Sequence, residues 1–208
     1  MGSFAEFKNK RVLVMGLGLH GGGAGAARFF VGAGARVTVT DLRSRRELAP
    51  SVRALQGLPI RYVLGKHRQK DFQKTALVIQ NPGVPDSSSY LVAAREAGVP
   101  IDTDVGVFVA RCPAPIIGVT GTKGKSTAAT LIAACLRKKF RDVVLAGNIR
   151  TSVLSVLTRI KPTTQVVLEL SSWQLEGLAH KKFSPHVALI TNIFPEHLNR
   201  YSNFAAYV

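Results

Sequence analysis

Short apolar runs alternate with helical patterns along the first half of the chain. Four runs rich in aliphatic residues are typical of buried strands, namely RVLVMGLG, RVTVTD, IRYVLG and ALVIQ. Small-residue or amphipathic stretches predict helices at 21–34, in RRELAPSVRALQ and in SSSYLVAAREAG. This alternation favours a parallel sheet with helices on both faces.

The pattern breaks in RCPAP, residues 111–115, where two prolines end it, and then restarts. The second part predicts strands at 115–119, 142–146, 164–170 and 186–192, with helices at 126–139 and 151–159. We therefore predict two α/β domains, residues 1–112 and residues 113–208. Because the chain stops at NFAAYV, where a helical pattern begins, we expect the second domain to be the first half of a longer, truncated one.

Composition narrows the class of protein. Hydrophobic residues make up 46% of the chain, which excludes general disorder. The two cysteines, Cys112 and Cys135, give no disulfide framework. No apolar run approaches the roughly 18 residues of a membrane span, and the N-terminus lacks the layout of a signal peptide. We expect a cytoplasmic monomer that does not associate with membranes.

The net charge of +16 raises the question of a nucleic-acid partner. The excess of Lys and Arg is spread over both halves of the chain, without a basic tail or a repeat of arginine and aromatic residues. A polyphosphate substrate, or a generally basic proteome, explains this charge more simply. We therefore expect no dedicated nucleic-acid site.

A glycine-rich loop follows the first predicted strand. The sequence GLGLHG, residues 16–21, matches G-x-G-x-x-G, and Asp41 ends the next strand, where a ribose-binding acid would lie. Glycines let a backbone approach phosphates, and a helix N-terminus favours their negative charge. This predicts a nucleotide-diphosphate site in a Rossmann-like domain, with NAD the first guess from the loop alone. The alternative is that the glycines serve only a tight turn and close helix packing.

A second loop, GVTGTKGKST, connects the strand at 115–119 to the helix after it. A strict P-loop needs glycine where the chain has Val119, so this loop is a variant. Its chemistry still fits, because backbone N–H groups can surround phosphate oxygens, Lys125 can reach the terminal phosphates and the Ser126 hydroxyl can ligate Mg²⁺. The predicted fold is a Rossmann-like domain followed by a P-loop-type parallel-sheet domain that binds ATP.

Two further polar residues follow predicted strands of the second domain. The run VVLELSSWQLEG places Glu169 at a strand end, where a carboxylate beside a P-loop is a natural Mg²⁺ ligand. The run VALITNIFPEHLNRY predicts a buried strand that ends at Thr191 and a helix that opens at 195–197, with His197 on the same sheet edge. The alternatives are a solvated glutamate and a structural histidine.

Four segments together, GVTGTKGKST, AGNI, LELSSWQLE and TNIFPEHLNRY, resemble the Mur ligases of peptidoglycan synthesis. The resemblance covers the chain in order and, through ELSSWQLE and GLGLHG, points to the activity that adds D-glutamate to UDP-N-acetylmuramoyl-L-alanine. It implies a ligase that uses ATP and Mg²⁺ and forms an acyl phosphate. It also implies that the first domain holds the UDP part of the precursor instead of NAD.

The resemblance implies roles for particular residues. The UDP moiety would contact Gly18, Leu19, His20, Asp41, Arg43 and Gly83. ATP would contact Gly121, Thr122, Lys123, Gly124, Lys125, Ser126 and Thr127. Mg²⁺ would bind Ser126, Glu169 and His197, and the catalytic set would be Lys125, Asn148, Ser171 and His197.

The sequence departs from the family pattern at His20, Lys123, Gly106, Arg150 and Asn199. Most important for function, we expect the family's metal-bridging carbamylated lysine to fall a few residues beyond Val208 and the C-terminal domain, which carries the amino-acid substrate, to be missing. In addition, Arg150 puts a long cation where a small glycine is usual, and Gly106 replaces a frequent acid. Two other functions therefore stay open. One is a catalytically inactive nucleotide-binding relative, and the other, with less support, is a NAD-dependent oxidoreductase that uses the first loop.

Overall fold

A computed structural model describes residues 4–149, 151–197, 201 and 203–207. Packing of the backbone divides the chain into two compact units. Unit 1 comprises Met1–Arg111 with Ser152–Thr158, and unit 2 comprises Cys112–Thr151 with Arg159–Val208. The predicted division into 1–112 and 113–208 does not include such a return of the chain to unit 1, and it stays a prediction.

The secondary structure is mixed. In the described part of the chain the strands are β1 (Arg11–Met15), β2 (Arg36–Asp41), β3 (Ile60–Leu64), β4 (Leu77–Gln80), β5 (Ile101–Thr103), β6 (Ile116–Thr120), β7 (Val143–Gly147), β8 (Gln165–Glu169) and β9 (Val187–Ile190). The α-helices are α1 (Gly22–Gly32), α2 (Ala49–Ala54), α3 (Gln69–Gln73), α4 (Ser89–Glu96), α5 (Asp104–Val109), α6 (Lys125–Arg137), α7 (Val153–Leu157), α8 (Ser172–Glu176) and α9 (Phe204–Tyr207). None of these helices is long and apolar enough to cross a membrane.

Unit 1 contains a five-stranded parallel sheet with the order β3-β2-β1-β4-β5. The central strand β1 carries the run Val12–Met15, which is buried on both faces as expected for an inner parallel strand. In sheets of this kind ligands bind beyond the carboxyl ends of the strands, where the strand order reverses. That point lies between β1 and β4, and the glycine-rich loop begins there.

The helix α7 packs in unit 1, although its sequence lies between two strands of unit 2. Its four apolar side chains, Val153, Leu154, Val156 and Leu157, are all buried. They pack against α1 and α5. A Cβ at Gly25 of α1 would overlap the Ser152 hydroxyl, so the absence of a side chain there permits the close approach. The helix was predicted at 151–159, whereas its packing partners could not be.

Unit 2 contains a four-stranded parallel sheet with the order β7-β8-β6-β9. The inner strand β8 is buried from Val166 to Glu169. The small side chains of Ala129 and Ala133 let α6 pack closely on this sheet, against Val119 and Val167. The strand order places the carboxyl ends of β8 and β9 on either side of the loop that follows β6.

The predicted α/β class with two parallel sheets is confirmed, whereas some details are corrected. The prediction of a buried strand at 186–192 is wrong, because β9 is exposed at every position. Among the described residues it pairs on one side only, with β6. Residues 191–197 have no helical conformation, and residues 198–200, into which the predicted helix would continue, lie outside the described residues. Arg150 and Asn199 lie outside the described residues.

Candidate nucleotide-binding sites

The glycine-rich loop of unit 1 requires its glycines. Gly16, Gly18 and Gly21 all have positive φ, the left-handed region that side chains disfavour. A Cβ at Gly16 would also lie 2.7 Å from the Cβ of Asn81, on the loop after β4. The motif thus reflects both backbone conformation and close packing between two loops at the reversal point of the sheet.

Asp41 holds this loop in shape. Its Oδ2 accepts hydrogen bonds from the N–H groups of Leu17 at 2.9 Å and Gly18 at 3.1 Å. Its Oδ1 accepts from the N–H of Arg43 at 2.9 Å. Both carboxylate oxygens of this buried side chain are therefore engaged by backbone donors. The predicted contact of Asp41 with a uridine nucleotide stays a prediction, and any such contact adds to this structural role.

The other predicted uridine contacts lie on accessible parts of the same region. Leu19 is 48% exposed and His20 beside it is exposed, so the tip of the loop presents an apolar and an imidazole side chain to solvent. Gly83 is exposed, and its N–H donates to the Asn81 side chain at 3.1 Å. Asn81 in turn donates to the Gly16 carbonyl at 3.3 Å. Gly83 is thereby tied to the glycine loop through a single amide side chain.

One glycine that the motif does not include is equally constrained. A Cβ at Gly23 would lie 2.5 Å from the carbonyl oxygen of Leu17 and closer still to that of Gly16. Helix α1 can pack against the loop that precedes it only because Gly23 has no side chain. The run of three glycines at 21–23 is the sequence signal that could have indicated this.

The loop of unit 2 runs from β6 to α6 through two glycines with positive φ, Gly121 and Gly124. The Lys125 ammonium group donates to the carbonyl oxygens of Gly121 and Thr122, at 2.7 Å each. The lysine therefore folds back over its own loop, the position from which it can reach an anion held by that loop. Ser126 and Thr127, in the first turn of α6, are exposed.

Two residues that directly follow β9, Thr191 and Asn192, form hydrogen bonds with the backbone of this loop. The Asn192 carbonyl accepts from the N–H of Thr122, and its side-chain oxygen accepts from the N–H of Lys123, at 2.9 Å each. The Thr191 hydroxyl donates to the Lys123 carbonyl at 2.6 Å. A Cβ at Gly121 would overlap that hydroxyl. From the sequence, Thr191 and Asn192 are predicted only to end a strand. Their contacts with the loop could not be predicted, because these contacts depend on β9 lying next to β6.

Glu169 and Asn148 are brought together at the ends of β8 and β7. Glu169 is 1% exposed, and its Oε1 accepts from the Asn148 side chain at 3.1 Å. Its Oε2 is buried and has no hydrogen-bond partner within the part of the chain that the structure describes. A Cβ at Gly147 would overlap the Glu169 carbonyl, so glycine is required for this approach. A half-bonded carboxylate of this kind is suited to a cation or a donor from a ligand.

Ser171 and His197 lie in less distinctive surroundings. Ser171 caps α8: its hydroxyl accepts from the N–H of Gln174 at 3.3 Å, and Gln174 reaches back to the N–H of Ser171 at 3.0 Å. The His197 ring packs beside Trp173, with 5.4 Å between ring centres, and its Nε2 lies 3.7 Å from a Glu196 carboxylate oxygen. The ligand contacts predicted for both residues stay predictions.

Lys123 and Glu196 form an exposed ion pair with 2.6 Å between Nζ and Oε1. This hydrogen bond to Lys123 lowers the pKa of Glu196 and raises the pKa of Lys123. The Lys123 ammonium group therefore contacts a carboxylate outside the loop, whereas that of Lys125 contacts carbonyl oxygens of the loop itself. Among the residues described, no group of three or more His, Cys, Asp or Glu side chains is arranged to hold a metal. The predicted ligand set of Ser126, Glu169 and His197 therefore stays a prediction.

Two parallel sheets, each with a glycine loop leading from a strand to a helix, are typical of nucleotide-binding α/β proteins. The family description "Mur ligase MurD-like, N-terminal domain" matches residues 10–103, and "Mur ligase middle domain" matches residues 119–208. The chain belongs to the Mur ligase family, and the predicted family is confirmed.

Relatives that carry the name UDP-N-acetylmuramoylalanine--D-glutamate ligase match along the chain. The relative from Roseiflexus sp. (strain RS-1) is 53% identical over 203 residues, and that from Borreliella afzelii (strain PKo) is 45% identical over 205 residues. Each match covers 98% of this chain and 44% of the relative. The chain thus spans less than half the length of these curated relatives.

A solved structure supports the fold. UDP-N-acetylmuramate:L-alanyl-gamma-D-glutamyl-meso-diaminopimelate ligase from Neisseria meningitides matches with a TM-score of 0.60 at 16% identity. The match covers 96% of this chain and 65% of that one. At this level of identity the likeness concerns the fold alone.

Proposed function

We propose that this chain is the uridine-nucleotide-binding and ATP-binding part of a ligase that joins D-glutamate to UDP-N-acetylmuramoyl-L-alanine. The relatives, whose shared name describes that reaction, support the proposal because they match along 98% of the chain. Since the chain spans 44% of their length, the nucleotide-binding steps are proposed for this chain and the complete reaction for the whole protein.

The observation that carries the proposal is the buried carboxylate of Glu169 beside the loop of unit 2. Glu169 pairs in register with Val119, on the strand that leads into that loop. One carboxylate oxygen is oriented by Asn148, and the other has no partner in the described chain. Mg²⁺ bound to a nucleotide takes one or two carboxylates together with phosphate oxygens. Glu169 therefore fits a Mg²⁺–ATP ligand.

Glu169 and the Ser126 hydroxyl would hold the Mg²⁺ ion, with His197 as the third predicted ligand. When bound, the ion would neutralise phosphate charge and polarise the γ-phosphoryl group. Asn148 would fix the orientation of Glu169, and the capping box of Ser171 would fix the start of the helix that follows it. Thr191 and Asn192 would hold the loop in its shape, because Asn192 accepts from the N–H groups of Thr122 and Lys123 and Thr191 donates to the Lys123 carbonyl.

The proposed reaction has two steps. The terminal carboxylate of UDP-N-acetylmuramoyl-L-alanine attacks the γ-phosphorus of ATP, and the bond from that phosphorus to the bridging oxygen breaks. ADP departs, and the precursor now carries an acyl phosphate. The amine of D-glutamate then attacks the acyl carbon and loses a proton, and inorganic phosphate leaves as the amide forms. Both reactants of the first step are anions, so Lys125 would lower the electrostatic cost of their approach. To do so, its ammonium would exchange the Gly121 and Thr122 carbonyls for phosphate oxygens.

In unit 1, the UDP moiety of the precursor would lie at the glycine loop. The N-terminus of α1 favours a diphosphate, and the exposed side chains of Leu19 and His20 would contact the uridine. Asp41 would act mainly by holding the loop open in this shape. The net positive charge of the chain would favour both polyphosphate ligands.

Glu169→Gln tests the site in unit 2. Calorimetric titration of this chain with a non-hydrolysable ATP analogue should require about tenfold or more Mg²⁺ for half-maximal binding, because one ligand loses its charge. Glu176→Gln, at the last residue of α8, is the matched control and should leave the Mg²⁺ requirement unchanged. Binding of UDP-N-acetylmuramoyl-L-alanine should be unaffected in both variants.

The reaction itself is tested in the whole protein by phosphate release from ATP that depends on both D-glutamate and the UDP precursor. An unchanged Mg²⁺ requirement in Glu169→Gln would contradict the ATP-site assignment. Binding of NADH, without binding of the UDP precursor, would contradict the assignment of unit 1.

A further inference from the structure

A buried carboxyl group lies at the base of the glycine loop in unit 1, outside the contacts assigned above. Asp104, the first residue of α5, is 8% exposed. Its Oδ1 accepts a hydrogen bond from the N–H of Val105 at 2.8 Å. Its Oδ2 would lie 3.7 Å from a Cβ placed on Gly22. This oxygen therefore points toward the start of α1.

A cavity of about 10 Å³ separates Asp104 from the loop. Gly16, Gly22 and Asn81 contribute to its lining, and Asp104 is the only charged residue among those that line it in the described chain. A cavity of this size holds about one water molecule. Asp104 can thus influence a ligand at the loop through its charge, without touching the ligand.

The charge of Asp104 opposes the ligand proposed for this loop. The N-terminus of α1, an 11-residue helix that begins at Gly22, carries a partial positive charge that favours anions. Asp104 and a bound diphosphate would both draw on this terminus, and two negative charges repel each other, the more so because Asp104 is buried. Within the described part of the chain, neither α1 near Gly22 nor α7 places a cation against Asp104, and the charged group that acts on it from β5 is another acid, Asp102.

We propose that binding of the diphosphate ligand in unit 1 is coupled to the uptake of one proton by Asp104. In the free protein Asp104 is mostly ionised near neutral pH, and in the complex it is the neutral acid, which removes the repulsion. The proton comes from solvent and binds the carboxylate of Asp104. This inference rests on the proposed uridine site and adds a pH dependence to it.

The direction of the pH dependence follows from linkage. Burial raises the pKa of Asp104 to about 6; the hydrogen bond from Val105 acts against this rise, and the charge of Asp102 adds to it. The diphosphate prefers the protonated form, so affinity is highest below about pH 6 and falls as the pH rises. The fall is at most about tenfold per pH unit, and it ends once the pH exceeds the higher pKa that Asp104 has in the complex.

The probe is UDP-N-acetylmuramoyl-L-alanine, a diphosphate diester that lacks the second phosphate ionisation near pH 6. Calorimetry on this chain at pH 7.5, in two buffers of different ionisation enthalpy, measures the protons taken up on binding. His20→Gln is used as the common background, because an imidazole in the loop is a second group able to bind a proton. Asp104→Asn is the test variant, since its amide oxygen can still accept from Val105.

The background protein should take up nearly one proton more per bound ligand than the Asp104→Asn variant. At pH 8 the Asp104→Asn variant should bind the ligand about tenfold or more tightly than the background protein does, and its affinity should no longer depend on pH. Equal proton uptake and equal pH dependence would overturn the inference. Absence of binding at every pH in the protein that retains His20 would instead overturn the uridine assignment on which it rests. If Asp104→Asn does not fold, the carboxyl ¹³C resonance of Asp104 gives the answer: its titration midpoint should move to higher pH with ligand, and an unmoved midpoint would overturn the coupling.

Discussion

The loop after β1 and the loop after β6 both lead from a parallel strand into a helix through glycines of positive φ, yet they are held by different partners. In unit 1, the carboxylate of Asp41 accepts from the N–H groups of Leu17 and Gly18. In unit 2, the neutral side chains of Thr191 and Asn192 hold the backbone of the loop.

Asp41 and Glu169, two buried acids that each end a strand, differ in how many hydrogen bonds the protein donates to them. Asp41 has both carboxylate oxygens occupied by backbone donors, whereas Glu169 keeps one buried oxygen without a partner in the described chain. A fully bonded buried acid stabilises its surroundings, while a half-bonded one is costly until a ligand completes it. Burial at a strand end therefore does not by itself distinguish an acid that shapes a loop from one that awaits a ligand. For Asp41 and Glu169, the number of protein donors makes this distinction.

Gly23→Ala should have the largest effect and should damage unit 1 alone. A Cβ there would meet backbone carbonyl oxygens of the loop, 2.5 Å away for Leu17, and backbone cannot move aside cheaply. We expect a loss of more than about 3 kcal/mol in the free energy of unfolding, with loss of uridine-nucleotide binding. Gly32→Ala is the control in the same helix, where a Cβ meets open space. Equal denaturant midpoints for the two variants would refute the close packing.

Leu154→Ala should come next and should destabilise unit 1, although residue 154 follows the first strands of unit 2 in sequence. Truncating a fully buried leucine costs about 3 kcal/mol. Native-state hydrogen exchange should show reduced protection in β1 and β2, and not selectively in β8. Leu131→Ala on α6, where the side chain is 63% exposed, should change stability by less than about 0.5 kcal/mol. Reduced protection in unit 2 alone would contradict the packing of α7.

Lys125→Ala should have the smallest effect on stability and a clear effect on one ligand. We expect about hundredfold weaker binding of an ATP analogue, because the ammonium at the terminal phosphates is lost. Lys123→Ala is the neighbouring control: its side chain is 72% exposed and paired with Glu196, so a change of a few-fold is expected. Uridine-nucleotide binding should be unchanged in both. Equal weakening of ATP binding by the two variants would mean that Lys125 has no special place in the loop.

Much of the fold can be predicted from the sequence because inner parallel strands need continuous aliphatic runs. The same reasoning fails for β9, since the run VALI has the same pattern in an exposed edge strand as in a buried one. Short elements such as β5 and α5 are also missed, because three to six residues do not define a period.

The residues of the candidate sites also fall into those that the sequence predicts and those that it does not. The glycines at 16, 18 and 21 can be predicted, because positive φ is a local property that a motif records. Gly147 cannot, because its requirement comes from the Glu169 carbonyl, which only folding brings close. Asn148 meets Glu169 only because β7 and β8 are neighbours, and the sequence does not state that order.

The return of Ser152–Thr158 to unit 1 has a consequence for how the protein is made. On a ribosome, residues up to Arg111 emerge before the segment that completes their packing, which follows about 40 residues later. At roughly 5–20 residues per second, the apolar surfaces of α1 and α5 wait a few seconds for α7. During that interval the nascent unit 1 leaves this apolar surface uncovered, so its packing is completed only after β6 and β7 of the second sheet have been synthesised.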